Sequence, residues 1–141
     1  MTLRRGTATI EFALILPLLL LLVAGVLDYT LLLRAAIAVA DAARAGATFG
    51  SLSATNASNT SGKQTAALNA APDITGLTAT AAKVCKCSSG SIVNCSGGTC
   101  STGPVRVYAQ VTAQVTCGAI FSNSQLPFSG VVSSTASMRA Q

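Results

Sequence analysis

The sequence predicts an α+β protein: a long N-terminal transmembrane helix followed by a small disulfide-stapled antiparallel sheet domain. Three observations carry this. Residues 12–27 run without a charge, between Arg4, Arg5 and Glu11 on one side and Asp28 on the other. Val105, Val107, Ala109, Val111, Ala113 and Val115 alternate strictly with more polar residues, the period of a strand with one buried face. All five cysteines follow the apolar run.

The apolar run is about 24 Å long as a helix, a little short of the ~30 Å hydrocarbon core. Counting residues 10–33, which add Tyr29 and further leucines, it spans a bilayer with tilt to spare. Basic flanks stay cytoplasmic, so everything after the run is expected on the far side, with a single pass through the inner (cytoplasmic) membrane.

In chain order, residues 1–6 form a short basic leader. Residues 10–49 read as one helix, apolar all round in its first half, as a lipid-facing helix should be. Its second half, RAAIAVADAARAGATFG, is Ala-rich and amphipathic. Leu33, Ile37, Ala40, Arg44 and Ala47 recur there at helical spacing, and Asp41 can pair with Arg44 at i,i+3. Gly46 and Gly50 are candidate stop signals. The small side chains of this half let a helix or sheet approach closely. Pro17 breaks a helix in water but is tolerated in membrane helices.

Residues 51–61 read as a Ser/Thr/Asn/Ala linker. Ser61 and Gln64 match a capping box, so a short helix is expected from Gly62 to about Ala70, stopped by Pro72. Strands are expected over 77–87, 92–93, 105–115 and 130–138, giving an antiparallel sheet packed on the amphipathic part of the long helix. The division is therefore leader 1–6, helix 7–50, linker 51–61 and extracytoplasmic domain 62–141.

Composition narrows the chemistry. The chain has 141 residues, no histidine and no tryptophan. Without histidine the commonest general base and metal ligand is missing, and outside the first helix the only acid is Asp73. These residues argue against an enzyme, a metal site or a bound cofactor. Aromatics make up only 4%, so the exported domain has a thin core and needs disulfides, the long helix or neighbours. The net charge is +5, but Arg34, Arg44, Lys63, Lys83, Lys86, Arg106 and Arg139 are scattered. No run of bases interleaves with aromatics, which speaks against a nucleic-acid partner.

Gly6-Thr7-Ala8-Thr9-Ile10-Glu11-Phe12 has the form G-x-x-x-x-E-[FY], directly between the basic pair and the apolar run. A glycine before a scissile bond lets a membrane protease draw the backbone into its site. Cleavage between Gly6 and Thr7 leaves Thr7 with a free amine and makes Glu11 the fifth residue of the mature chain. A carboxylate so near the lipid core is costly and wants a cation. The new amine of a neighbouring subunit, shifted along a filament axis, is a suitable one.

This arrangement resembles the type IV prepilin class. RRGTATIEFALILPLLLLLVAGVLDYTLLLRAAIAVADAARAGATFG is similar to the TadE-like family of Tad (tight adherence, Flp-type) pilus proteins. The matching pieces are RRG, IEFAL, the LP followed by leucines, VLDY and AARAGA; Ala45 stands where the family usually has an acid. The resemblance implies a minor pilin or pseudopilin, cleaved by a prepilin peptidase and acting with other pilus subunits and inner-membrane assembly proteins. On that reading Gly6 and Thr7 are the processing site, Glu11 and Phe12 serve assembly, and Pro17 and Asp28 belong to the membrane helix. An A-x-A site at Ala38-Val39-Ala40 leaves a secretory signal peptide open, although Arg34 intervenes and the apolar run is too long for one. A plain signal anchor also remains.

Export makes disulfides the default state of the cysteines. Cys85 and Cys87 share one face of a strand, and a hairpin can place them opposite Cys95 and Cys100. One pairing is Cys87 with Cys95 and Cys85 with Cys100; connectivity is not fixed by sequence. Cys117, at the end of the main strand, is the candidate odd thiol. Two functional readings remain: a pilus assembly component, or a membrane-anchored binding module whose helix is only a tether. A tether needs neither Gly6 nor Glu11.

Overall fold

The computed structural model describes residues 7–118 and 130–141. The leader, with Arg4, Arg5 and Gly6, lies outside the described residues. Helix α1 (Thr7–Ser51) runs for 45 residues and continues through Pro17, a length of about 67 Å. By length and composition it is able to cross a membrane, and its most apolar window buries nothing against the rest of the chain.

The second half of α1 is one wall of the C-terminal domain. It buries Ala35, Val39, Ala42, Ala43 and Ala47, a stripe at helical spacing. This stripe is displaced from the one expected at Leu33, Ile37, Ala40, Arg44 and Ala47. Leu33 and Ile37 remain 47% and 56% exposed, because the sheet comes too close for side chains of that size. Gly46 and Gly50 do not stop the helix. They mark its closest contacts: a Cβ on Gly46 would stand 2.7 Å from the Lys63 carbonyl oxygen and 3.1 Å from Val111 Cγ1. A Cβ on Gly50 would collide with Ala109 and with the Lys63 stem. The Asp41–Arg44 pair forms at 3.7 Å, and Arg34 reaches Asp73 at 3.9 Å. Both pairs are exposed and contribute little.

The stretch expected as a linker contains helix α2 (Ala54–Ser58). Ser53 caps it by accepting from the Asn56 amide at 3.1 Å, and Ala57 is buried. Helix α3 (Thr60–Asn69) follows at once. Its cap is Asn59 rather than Ser61: the Asn59 side-chain oxygen accepts from the Gly62 amide at 2.9 Å and from the Ser61 hydroxyl at 3.1 Å. A cap two residues earlier satisfies the free amides of the first turn as well as the box would.

Strands β1 (Thr78–Lys86), β2 (Ile92–Val93), β3 (Arg106–Cys117) and β4 (Gly130–Arg139) form one antiparallel sheet in the order β2-β1-β3-β4. Its inner face meets α1. Ala113 and Val115 join Ala35, Val39, Ala42, Ala43 and Ala71 in one cluster, and Val111 joins Ala47 and Ala67 in another. The largest fully buried side chains are Lys63, Val39, Val111 and Cys85, so the core is thin.

Two disulfides compensate at one end of the sheet, joining Cys85 to Cys95 and Cys87 to Cys100. The nested pairing of Cys87 with Cys95 is not formed. Strand register explains this: Cys85 faces Val93 and Lys86 faces Ile92, which sets Cys87 beside the turn. There its amide donates to Ser91, whereas Cys95 lies beyond Val93, near Lys83 and Cys85. The bridges therefore interleave, and Cys117 is free. Removing either bridge by paired Cys→Ser change should lower the stability of the C-terminal domain by roughly 2–4 kcal/mol. Urea unfolding of the oxidised protein and of each double variant measures it; coincident midpoints would contradict the expectation.

Candidate functional site

The described residues place the candidate functional groups along α1 and not in a cleft. Thr7 is the first residue of the helix. Glu11 is exposed one turn further on, and Phe12 beside it is 65% exposed. Pro17 lies within the fully exposed stretch, and Asp28 is half-buried at its far end. Along the axis Asp28 is about 25 Å from Glu11, so the two acids bracket a segment close to one hydrocarbon core in length. Between Thr7 and Leu33 the chain contains no lysine or arginine. Within residues 7–33 Glu11 therefore has no basic side chain to pair with.

The apolar surface does not end at Asp28. Leu31, Leu32, Leu33 and Ile37 carry it towards the C-terminal domain. There α1 and the segment following α3 border an open groove of about 440 Å³, lined by Leu33, Arg34, Ile37, Pro72, Asp73 and Ile74 among others. In a lone tether spanning the bilayer over residues 10–33, Ile37 would be wet. Against neighbouring helices it would be dry.

The most consequential residue that sequence reasoning missed is Lys63. It is fully buried. Its stem crosses Gly50 of α1, and its ammonium donates to the Ala57 carbonyl at 2.7 Å and to the Ala82 carbonyl at 3.0 Å. It thus ties α1, α2 and β1 together. Burial, with a smaller contribution from the nearby Lys83, holds its pKa below the ordinary lysine value of 10.5. A lone lysine in the first turn of a short polar helix gives no sequence signal of burial. The Gly46-x-x-x-Gly50 spacing does signal close approach, and it is this spacing that makes room for Lys63.

The four bridged cysteines lie at the β1–β2 end of the sheet, away from Glu11. Cys117 is half-buried at the end of β3, opposite Gly130. The sequence-predicted residues are thus not gathered into one pocket. Those on α1 lie in line along the helix, and the cysteines lie on the sheet. Residues 6–48, close to the full span of α1, match the family model of the TadE-like protein. Neither a curated protein nor a solved structure matches the chain.

Proposed function

We propose that this chain, TadE-like over residues 6–48, is a minor pilin or pseudopilin acting in assembly of a Tad/Flp-type pilus. Its α1 is anchored in the inner membrane by the apolar run and packs laterally against helices of other pilus subunits. The observation that carries this reading is the exposed apolar surface of α1. It begins at Glu11 and continues past Asp28 to Leu33 and Ile37. A helix serving only as a tether gains nothing from Glu11 or from an exposed apolar side chain at Ile37, beyond the membrane span. The outer domain, on the far side of the membrane from the leader, is carried into the assembly by the same helix. Its role is structural rather than catalytic.

Deleting the gene should abolish or sharply reduce piliation while the major pilin is still made and processed. Normal pili in the deletion strain would favour a tethered binding module instead. Recovery of this chain as the bulk protein of sheared filaments would overturn the minor role alone.

Processing is part of the proposal. A prepilin peptidase cuts between Gly6 and Thr7, and N-terminal sequencing of the membrane-extracted protein should read from Thr7. Gly6→Arg should leave the leader attached. A mature chain that keeps Met1, or that starts at Asp41, would rule this processing out.

A further inference from the structure

Strand register gathers at one end of the sheet three cations that are scattered in sequence. Lys86 stands directly opposite Arg106 across β1 and β3, and Arg139 stands opposite Tyr108 across β4 and β3. Directly opposite residues have Cβ atoms about 4.5–5.5 Å apart, and diagonal ones about 7–8 Å. The three basic groups therefore surround one aromatic ring, and Lys86 Nζ lies 5.5 Å from the Tyr108 centroid. All four side chains share the outer face, because Val107 and Ala109 between them point the other way, with Ala109 buried under α1.

Like charges directly opposite each other on a sheet are destabilising. No acidic residue offsets them here. The chain's four acids are Glu11, Asp28, Asp41 and Asp73, three of them on α1 and the fourth beyond α3. Arg106 Nε is buried and has no hydrogen-bond partner among the described residues. Three cations at one end of the sheet, with no acid among them, mark a place that an outside anion completes.

The rest of the outer face indicates the kind of anion. From Tyr108 the sheet continues as Gln110 and Ser137, then Thr80, Thr112 and Thr135, with the Thr112 and Thr135 hydroxyls 2.8 Å apart. This is a flat row of hydroxyl and amide groups, matched to a chain rich in hydroxyls. Single-stranded nucleic acid is held by successive aromatics that stack its bases. Among the described residues this face offers one aromatic, Tyr108. The cationic end also lies beside the outer terminus of α1, where the Ala140 amide donates to Val107 and the Gln141 amide to Ser51. That is about 27 Å along the helix beyond Leu33, so lipid phosphates are out of reach.

We infer that the outer face of β1, β3 and β4 binds an acidic polysaccharide, its carboxylates held by Lys86, Arg106 and Arg139 and a sugar ring packed against Tyr108. This goes beyond the assembly role and does not depend on it. The test uses the full chain in detergent with three probes: polygalacturonate, neutral dextran and single-stranded oligothymidylate. Polygalacturonate should bind, more weakly as salt is raised, and dextran should not.

The variant Lys86→Gln with Arg139→Gln should lose about tenfold or more in affinity, or ~1.4 kcal/mol, while melting with the wild type. Arg34→Gln with Arg44→Gln removes the same charge from α1 and should bind as the wild type does. Equal loss in both double variants would reduce the effect to net charge and overturn the site. Binding of oligothymidylate but not of polygalacturonate would overturn the ligand class, and binding of neither would overturn the proposal. In cells the Lys86/Arg139 variant should be processed and should support piliation normally, which separates failure here from failure of the assembly role.

Discussion

Replacing Glu11 by alanine should give a subunit that is inserted and processed yet no longer co-purifies with its pilus partners. An acidic side chain near a helix centre costs about 2.5–3.5 kcal/mol on insertion scales, less towards the membrane edge. Alanine should therefore enter the membrane more readily than glutamate does. If Glu11 were merely tolerated, the variant would assemble as well or better. If Glu11 pairs with the Thr7 amine of a neighbouring subunit, its loss leaves that amine without a partner beside lipid, and recovery of the complex should fall by about tenfold or more, equivalent to ~1.4 kcal/mol. Glu11→Gln keeps the shape and removes the charge, so it should behave like alanine. Undiminished co-purification of both variants would refute the pairing. The prediction is specific to Glu11, since no other acid lies before Asp28 on the helix.

Gly50→Val should destroy the folded outer domain while leaving α1 in the membrane. The glycine faces Ala109 and the Lys63 stem, with no room for even one carbon. Overpacking of this kind costs typically 1–3 kcal/mol. Displacing Lys63 would also strip its ammonium of the Ala57 and Ala82 carbonyls, at about 1–3 kcal/mol or more for a buried charged donor. Valine at Gly46 should act similarly, through the Lys63 carbonyl and Val111. A Cβ on Gly25 meets nothing within 4 Å, so Gly25→Val serves as the control. Limited proteolysis of detergent-extracted protein should show rapid loss of the outer domain in the first two variants and none in the third. Wild-type resistance of Gly50→Val would mean that α1 and the sheet do not meet as described.

The elements with strong one-dimensional patterns were legible in the sequence. The run at residues 12–27 gave the membrane half of α1, and the alternation from Val107 to Val115 gave β3. What was not legible depends on partners distant in sequence. Gly46 and Gly50 look the same whether glycine ends a helix or admits a neighbouring backbone, and only the arrival of α3 and β3 decides between them. The stripe placed at Leu33 and Ile37 followed side-chain size, whereas the buried face selects the smallest residues. Helix α2 is too short to show a period and is held by Ser53, Asn59 and the burial of Ala57. Disulfide connectivity and the meeting of Lys86, Arg106 and Arg139 both follow from strand register, which no local segment encodes. The Gly6 to Glu11 spacing is also a pattern along the chain, and the processing and pairing expected from it rest on the variants described above.

Helix α1 has a mechanical consequence. It runs unbroken from Thr7 to Ser51, and Gly46 and Gly50, the positions where a joint would be expected, are clamped against α3 and β3. The membrane end and the outer sheet therefore behave as the two ends of one rod of about 67 Å. Between Pro17 and Ser51 a displacement along the axis is carried by continuous helix to the sheet. Pro17, which removes one helical hydrogen bond, lies between Glu11 and the sheet and is where such a rod bends most readily.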